Sequence, residues 1–145
     1  MNVRDALEAD ADALATMADA PTDVMRNLVH DRTVRVAEDA TRDQSRDVTN
    51  DRFDGSDPHD LLGFVSFDAR EDTVYVTQID GTAAACERLL AEPVRFAERE
   101  SMAVEALVPS DHHAIERVLD SQGFSRLGRG PRFEGLRTAR FRLEP

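Results

Sequence analysis

The chain has 145 residues, the length of one ordinary domain, and its hydrophobic content of 41% is enough for a single packed core. No run of about 18 apolar residues occurs, so we expect no membrane-spanning helix, and the opening MNVRDALEADAD lacks the basic start and apolar stretch of a signal peptide. One cysteine, Cys86, excludes an internal disulfide and a multi-cysteine metal site. We therefore expect a cytoplasmic protein without a metal.

The charge of the chain is strongly acidic. Acidic residues outnumber basic ones by 29 to 18, a net charge of −11, and every basic residue is an arginine. At molar salt the Debye length is only about 3 Å, so such a surface suits a salt-rich cytoplasm. The same charge argues against nucleic acid as a partner. The arginine-rich end of the chain, residues 121–145, either pairs with the acidic residues 1–60 or forms a local anion site.

Hydrophobic periodicity predicts the following elements in chain order. They are a strand over 3–6, helices over 10–18 and 21–29, strands over 33–37, 61–68 and 73–79, a helix over 83–100, a strand over 104–108, a helix over 111–122, and last strands near 127 and over 136–143. Asp10 is placed to cap the first helix, and Pro93 is expected to kink or split the longest one. The order predicts one domain over 1–145, of the α+β class, with a mixed sheet and helices on both faces.

One segment departs from this pattern. Residues 39–60 are polar, acidic and almost free of large apolar side chains, so they cannot bury enough surface to become ordered. We predict a mobile acidic loop inserted between two strands. A functional lid over a site is the alternative interpretation.

Several short motifs in this order resemble those of the GNAT superfamily of N-acetyltransferases over nearly the whole chain. They are Arg4, Ala6 and Asp10 in the first strand and helix, Gly63, Phe64 and Val65 in the third strand, Leu89, Leu90, Phe96 and Ala97 in the long helix, and Ala114, Ile115, Gly123 and Phe124 in the closing helix. The resemblance implies a mostly antiparallel sheet whose fourth and fifth strands splay apart. It also implies that the gap between them holds acetyl-CoA.

The family's pyrophosphate loop has two possible registers here. In one, Gln78, Gly81 and Ala83 match the family's Q-x-x-G-x-A; in the other, which keeps the spacing to the leucine pair, the loop runs from Gly81 to Cys86. We prefer the second, in which backbone amides at a helix N-terminus would bind the phosphates. The cofactor-binding residues that the resemblance implies are Val76, Gly81, Thr82, Ala83, Ala84, Ala85, Cys86 and His112.

The catalytic residues are less well matched. The resemblance implies a general base at Asp72, at the start of the fourth strand, although a solvated hairpin turn is the simpler explanation of this residue. Leu119 stands where the family commonly has a tyrosine that serves as the general acid. The single tyrosine of this chain, Tyr75, lies on the fourth strand. Cys86 would need a neighbouring base to act as a nucleophile, and none is evident in the sequence. We therefore predict that it is a small packed core residue.

Two functional hypotheses follow. The first is an acyl-CoA-dependent N-acyltransferase that moves an acetyl group from acetyl-CoA to an unidentified small-molecule or protein amine. The second is a GNAT-shaped binding or regulatory module without turnover, because a fold does not fix a function. Neither requires a membrane, and a homodimer is compatible with both.

Overall fold

The computed structural model describes residues 1–39, 61–109, 113–129 and 137–145. Nearly all of the loop predicted for 39–60, and His112, lie outside these residues. The described part contains a seven-stranded sheet with strands β1 (Asn2–Asp5), β2 (Thr33–Glu38), β3 (Leu61–Arg70), β4 (Thr73–Gly81), β5 (Ala103–Pro109), β6 (Ser125–Arg129) and β7 (Thr138–Leu143).

The strands lie in the spatial order β1-β2-β3-β4-β5-β7-β6. Every described pair is antiparallel except β4 with β5, which are parallel. A parallel pair needs a long crossover connection, and the longest helix of the chain provides it. The sheet is therefore mixed and mostly antiparallel, as predicted.

In the described residues, four α-helices cover the two faces of the sheet: α1 (Ala11–Ala18), α2 (Thr22–Asp31), α3 (Ala83–Glu100) and α4 (His113–Ser121). One buried cluster joins α3 and α4 to the sheet through side chains such as Leu89, Leu90 and Leu119. A second cluster joins α1 and α2 to β2 and β3 through Leu14, Met25 and Phe64. Helices on both faces confirm the predicted α+β fold class.

Helix α3 begins and ends at residues suited to those positions. The Thr82 side chain accepts a hydrogen bond from the Ala85 amide at 3.1 Å, and Ser101 ends the helix in the left-handed conformation. The helix is continuous through the buried Pro93. Of the two predicted effects of this proline, the split therefore does not occur, and the kink stays a prediction.

Asp10 does not cap α1 as predicted. Its carboxylate instead accepts two hydrogen bonds from the Arg4 guanidinium, at 2.8 and 3.0 Å, and one from the Leu7 amide at 2.8 Å. Burial alone would raise the pKa of Asp10, but these hydrogen bonds outweigh it and lower the pKa below its usual value of 3.8. The Arg4–Asp10 pair thus ties β1 to the turn that precedes α1.

Candidate functional site

The parallel strands β4 and β5 separate halfway along their length. Their residues pair from Thr73 with Ala103 to Val76 with Ala106. Beyond this point β4 continues to Gly81 and β5 to Pro109 without pairing with each other. Val76 and Val108 therefore lie on neighbouring strands that diverge toward one end, as predicted. Beyond Val76, the edge of β4 that faces β5 presents backbone groups without a strand partner.

A β-bulge in β4 coincides with this separation. Ser66 pairs with Gln78 and Phe67 pairs with Val76, so Thr77 is an extra residue in β4. Such a residue increases the local twist and bends its strand. The Thr77 hydroxyl donates to the Ser66 carbonyl at 3.1 Å and lies 2.7 Å from the fully buried Ser66 hydroxyl. These two contacts fix the bulge at the point where β4 leaves β5.

A cavity of about 860 Å³ occupies the gap between the two strands. Its walls are mostly apolar, with Val76 and Ile79 from β4 and Leu107 and Val108 from β5. Cavities of this size and character are typical of small-molecule and cofactor sites. The cleft is therefore the candidate functional site.

Polar side chains line the open side of the cleft. Tyr75, which is 38% exposed, pairs in register with Glu105 on β5. The Glu105 carboxylate accepts a hydrogen bond from Arg142 at 2.6 Å, which fixes its position. A phenol and an oriented carboxylate at the point of strand separation are groups that can move a proton.

Four of the six backbone amides in the predicted phosphate loop are used within the chain. Gly81 N–H donates to the Asp80 carboxylate at 2.8 Å, and Thr82 N–H donates to the Leu62 carbonyl at 3.0 Å. The amides of Ala85 and Cys86 both donate to Thr82, to its hydroxyl at 3.1 Å and its carbonyl at 2.9 Å. In the described part of the chain, the amides of Ala83 and Ala84 remain free for a ligand.

Gly81 has a packing role that explains the glycine at this position. Its φ is +129°, and a Cβ atom built there would lie 2.4 Å from both the Gly63 Cα and the Leu62 carbonyl oxygen. A Cβ on Gly63 would in turn lie 2.7 Å from the Asp80 carbonyl oxygen. The two glycines therefore let β3 and β4 pair closely where α3 begins.

The structure separates other predicted site residues from the cleft. Asp72 lies in the turn between β3 and β4, next to the paired end of β4 and β5, and its carboxylate accepts a hydrogen bond from the Thr73 hydroxyl at 3.2 Å. Asp72 does not line the cavity; among the described residues, the carboxylates that do are Asp68, Asp80 and Glu105. Its assignment as a general base stays a prediction that the geometry does not favour.

Two buried residues of the predicted site cannot present their side chains to a ligand. Ala85 and Cys86 are both 0% exposed. Burial, and secondly the charge of Asp80, raise the pKa of the Cys86 thiol to about 11, so it is protonated near neutral pH. Leu119, at the family's tyrosine position, is also 0% exposed and belongs to the core.

A second cavity of about 470 Å³ adjoins the cleft. It shares four lining residues with the cleft, Arg32, Asp68, Thr77 and Gln78. Arg32 donates to the Asp68 carboxylate at 3.0 Å across this junction. The two cavities therefore meet at the β4 bulge, and the second opens toward α2.

Sequence reasoning did not identify Glu105, Asp68 or Thr77 as site residues. The alternation of β5 was a usable signal, because Val104, Ala106 and Val108 are buried and Glu105 must face the other way. No sequence pattern indicates Thr77, because its place in the bulge depends on the register between β3 and β4. Among the described residues, no group of three or more potential metal ligands occurs, and no helix is long and apolar enough to cross a bilayer.

Comparisons with known proteins agree with this architecture. No family model and no curated protein sequence matches the chain. A ribosomal-protein-alanine N-acetyltransferase from Brucella melitensis matches with a TM-score of 0.73 and 15% identity over 100% of both chains. NAA60 from Arabidopsis thaliana in complex with acetyl-CoA matches with a TM-score of 0.73 and 16% identity, over 99% of this chain and 97% of that one.

An N-acetyltransferase from Staphylococcus aureus Mu50 is also similar, with a TM-score of 0.71 and 14% identity over 99% of this chain and 97% of that one. At these identities the likeness establishes the fold. The chain has the GNAT acetyltransferase fold.

Proposed function

We propose that the chain is an N-acyltransferase that uses acetyl-CoA as the acyl donor and an amine as the acceptor. The observation that carries the proposal is the cleft between β4 and β5, which opens where pairing stops after Val76 and Ala106. Its mostly apolar walls suit a pantetheine arm, and the unpaired edge of β4 offers hydrogen bonds to the amides of that arm. Similar structures were determined with acetyl-CoA bound, as for NAA60, which supports the same donor here.

The proposed reaction proceeds by direct attack of the amine nitrogen on the thioester carbonyl carbon. A C–N bond forms, the C–S bond breaks, the amine loses a proton and the CoA thiolate gains one. A backbone amide of β4 near the bulge would stabilise the tetrahedral oxyanion. Glu105, held by Arg142, is the candidate base for the amine proton, and Tyr75 is the candidate donor to the thiolate.

The proposal includes a cytoplasmic location and adaptation to high salt. The free, buried thiol of Cys86 and the net charge of −11 support these two features.

Titration calorimetry with acetyl-CoA, together with a thiol-release assay over a panel of amines, tests the proposal. Leu107→Glu places a charge on the wall of the cleft, and Leu127→Glu is the matched control, because Leu127 is 53% exposed and does not line the cavity. We expect acetyl-CoA to bind the parent and the control equally and the cleft variant much more weakly. Equal affinity in all three, or no binding to the parent, would contradict the proposal.

The alternative, a binding module of GNAT shape without turnover, is favoured by a specific observation. Four amides of the predicted phosphate loop are satisfied within the chain, and the buried Leu119 replaces the family's tyrosine. Acetyl-CoA binding without thiol release for any amine in the panel would select this alternative.

A further inference from the structure

We propose that the second cavity binds the acceptor and selects an aliphatic amine that carries a second cationic group at its far end. The role of the bound amine as acyl acceptor rests on the proposed function. Recognition of the far cationic group depends on the residues that line the second cavity.

The part of the cavity farthest from the cleft is built by one face of α2. The four residues that line the second cavity but not the cleft are Val24, Asn27, Leu28 and Asp31. Their spacing of three, four and seven positions places them on a single stripe of the helix. A ligand in this cavity therefore extends along α2, away from the bulge at Thr77.

The stripe has apolar side chains along its length and an acidic side chain at its carboxyl end. Val24 and Leu28 supply apolar surface, and Asp31 is the last residue of the helix. The carboxyl end of a helix favours a positive charge, and the Asp31 carboxylate adds to that preference. An aliphatic body with a terminal ammonium group complements both features.

The charges around the cavity leave Asp31 uncompensated. Among the described residues, two carboxylates, Asp31 and Asp68, and one guanidinium, Arg32, line the cavity. Arg32 pairs with Asp68 at 3.0 Å, and Arg70 lies 3.4 Å from the same carboxylate oxygen. In the described part of the chain Asp31 has no ion-pair partner, so a cationic ligand would supply one.

The junction with the cleft sets the orientation of the ligand. Thr77 and Gln78 line both cavities at the point where β4 leaves β5. The reacting amine would lie at this junction, and the second cation would lie near Asp31. The two amino groups of a bound diamine would therefore lie at different distances from the cleft.

Three ligands of matched length test the inference by calorimetry: putrescine, butylamine and γ-aminobutyrate, at low salt to limit screening. An exposed ion pair contributes little, so we expect putrescine to bind about fivefold more tightly than butylamine. Asp31→Asn should abolish this difference. Asp23→Asn, an exposed aspartate of the same helix that does not line the cavity, should retain it.

Two results would overturn the inference. One is equal affinity of the parent for putrescine and butylamine, or an unchanged preference in Asp31→Asn. The other is tighter binding of γ-aminobutyrate, which would assign recognition to the Arg32 guanidinium. Acetyl-CoA is titrated separately, so a diamine preference without acetyl-CoA binding would reject the proposed function and leave this site standing.

Discussion

The hydroxyls of Ser66 and Thr77 lie 2.7 Å apart across β3 and β4, at the bulge where β4 turns away from β5. Thr77 also donates to the Ser66 carbonyl, so Ser66 is the natural donor in the contact between the two hydroxyls. Ser66 is fully buried, and Thr77 lines both cavities. This partly buried contact therefore joins a core residue of β3 to the residue of β4 at which the cleft begins.

Replacing Thr77 by valine should destabilise the protein and weaken acetyl-CoA binding. The Ser66 hydroxyl would lose its partner while remaining buried, which costs about 1–3 kcal/mol. The bulge would also lose both contacts that fix it. Urea unfolding measures the first effect and calorimetry with acetyl-CoA measures the second.

Two further variants serve as controls for this change. Thr77→Ser keeps the hydroxyl and should retain both stability and affinity, whereas Ser66→Ala leaves Thr77 bonded to the carbonyl and should cost less than Thr77→Val. A Thr77→Val protein with parental stability and affinity would show that the bulge does not depend on this contact.

Gly81 and Gly128 offer a test of packing against backbone strain. Both have a strongly positive φ, +129° and +134°, but a Cβ on Gly81 meets backbone atoms at 2.4 Å and one on Gly128 meets nothing within 4 Å. Gly128→Ala should therefore cost about 1–3 kcal/mol from backbone strain alone, and Gly81→Ala should cost clearly more. Thermal unfolding of both variants compares them, and equal costs would mean that strain, not close packing, requires Gly81.

The order of elements was predictable from sequence because each element carries its own periodicity. Leu89, Leu90 and Ala97 mark the buried face of α3, and all three are buried in the structure. The divergence of β4 and β5 followed from the resemblance in motif order, and the pairing that ends at Val76 confirms it.

The details of the site were less predictable because they depend on register and local bonding. The bulge at Thr77 is defined only by the pairing of β4 with β3. The hydrogen bonds that Gly81 and Thr82 donate to Asp80 and Leu62 depend on residues outside the loop motif. Asp10 shows the same limit. The position of Asp10 in the sequence predicted a helix cap, whereas in the structure the Asp10 carboxylate accepts two hydrogen bonds from Arg4.

The Arg4–Asp10 pair should make stability depend on pH. Because the pKa of Asp10 is lowered by folding, its contribution is fully present above the unfolded value of about 3.8 and is lost as pH falls through the folded value. Asp10→Asn should cost about 1–2 kcal/mol near pH 7, allowing for partial exposure of the pair. Urea unfolding at several pH values should show this cost shrinking below about pH 4; a cost independent of pH would contradict the assignment.

Potassium chloride should stabilise the protein. The net charge of −11 makes self-repulsion a destabilising term, and molar salt shortens the Debye length to about 3 Å. We expect the melting temperature to rise by about 5 °C or more between about 0.1 and 2 M KCl, which for a chain of 145 residues is equivalent to about 1.5 kcal/mol. A melting temperature that falls with KCl would show that ion pairs such as Arg32 with Asp68 outweigh the repulsion.

Changes at Ala84 test whether a pyrophosphate contacts the start of α3. Ala83 and Ala84 carry the two amides of the predicted loop that the described part of the chain leaves free, and both side chains are exposed. Ala84→Asp should weaken acetyl-CoA binding strongly, since a carboxylate would repel the phosphates, although an acid in the first turn should stabilise the helix. Ala84→Asn has nearly the same size without the charge and should bind more tightly than Ala84→Asp, and Ala84→Gly should be tolerated. Calorimetry with acetyl-CoA compares the series, and equal affinity for Asp, Asn, Gly and the parent would mean that the cofactor does not reach this helix end.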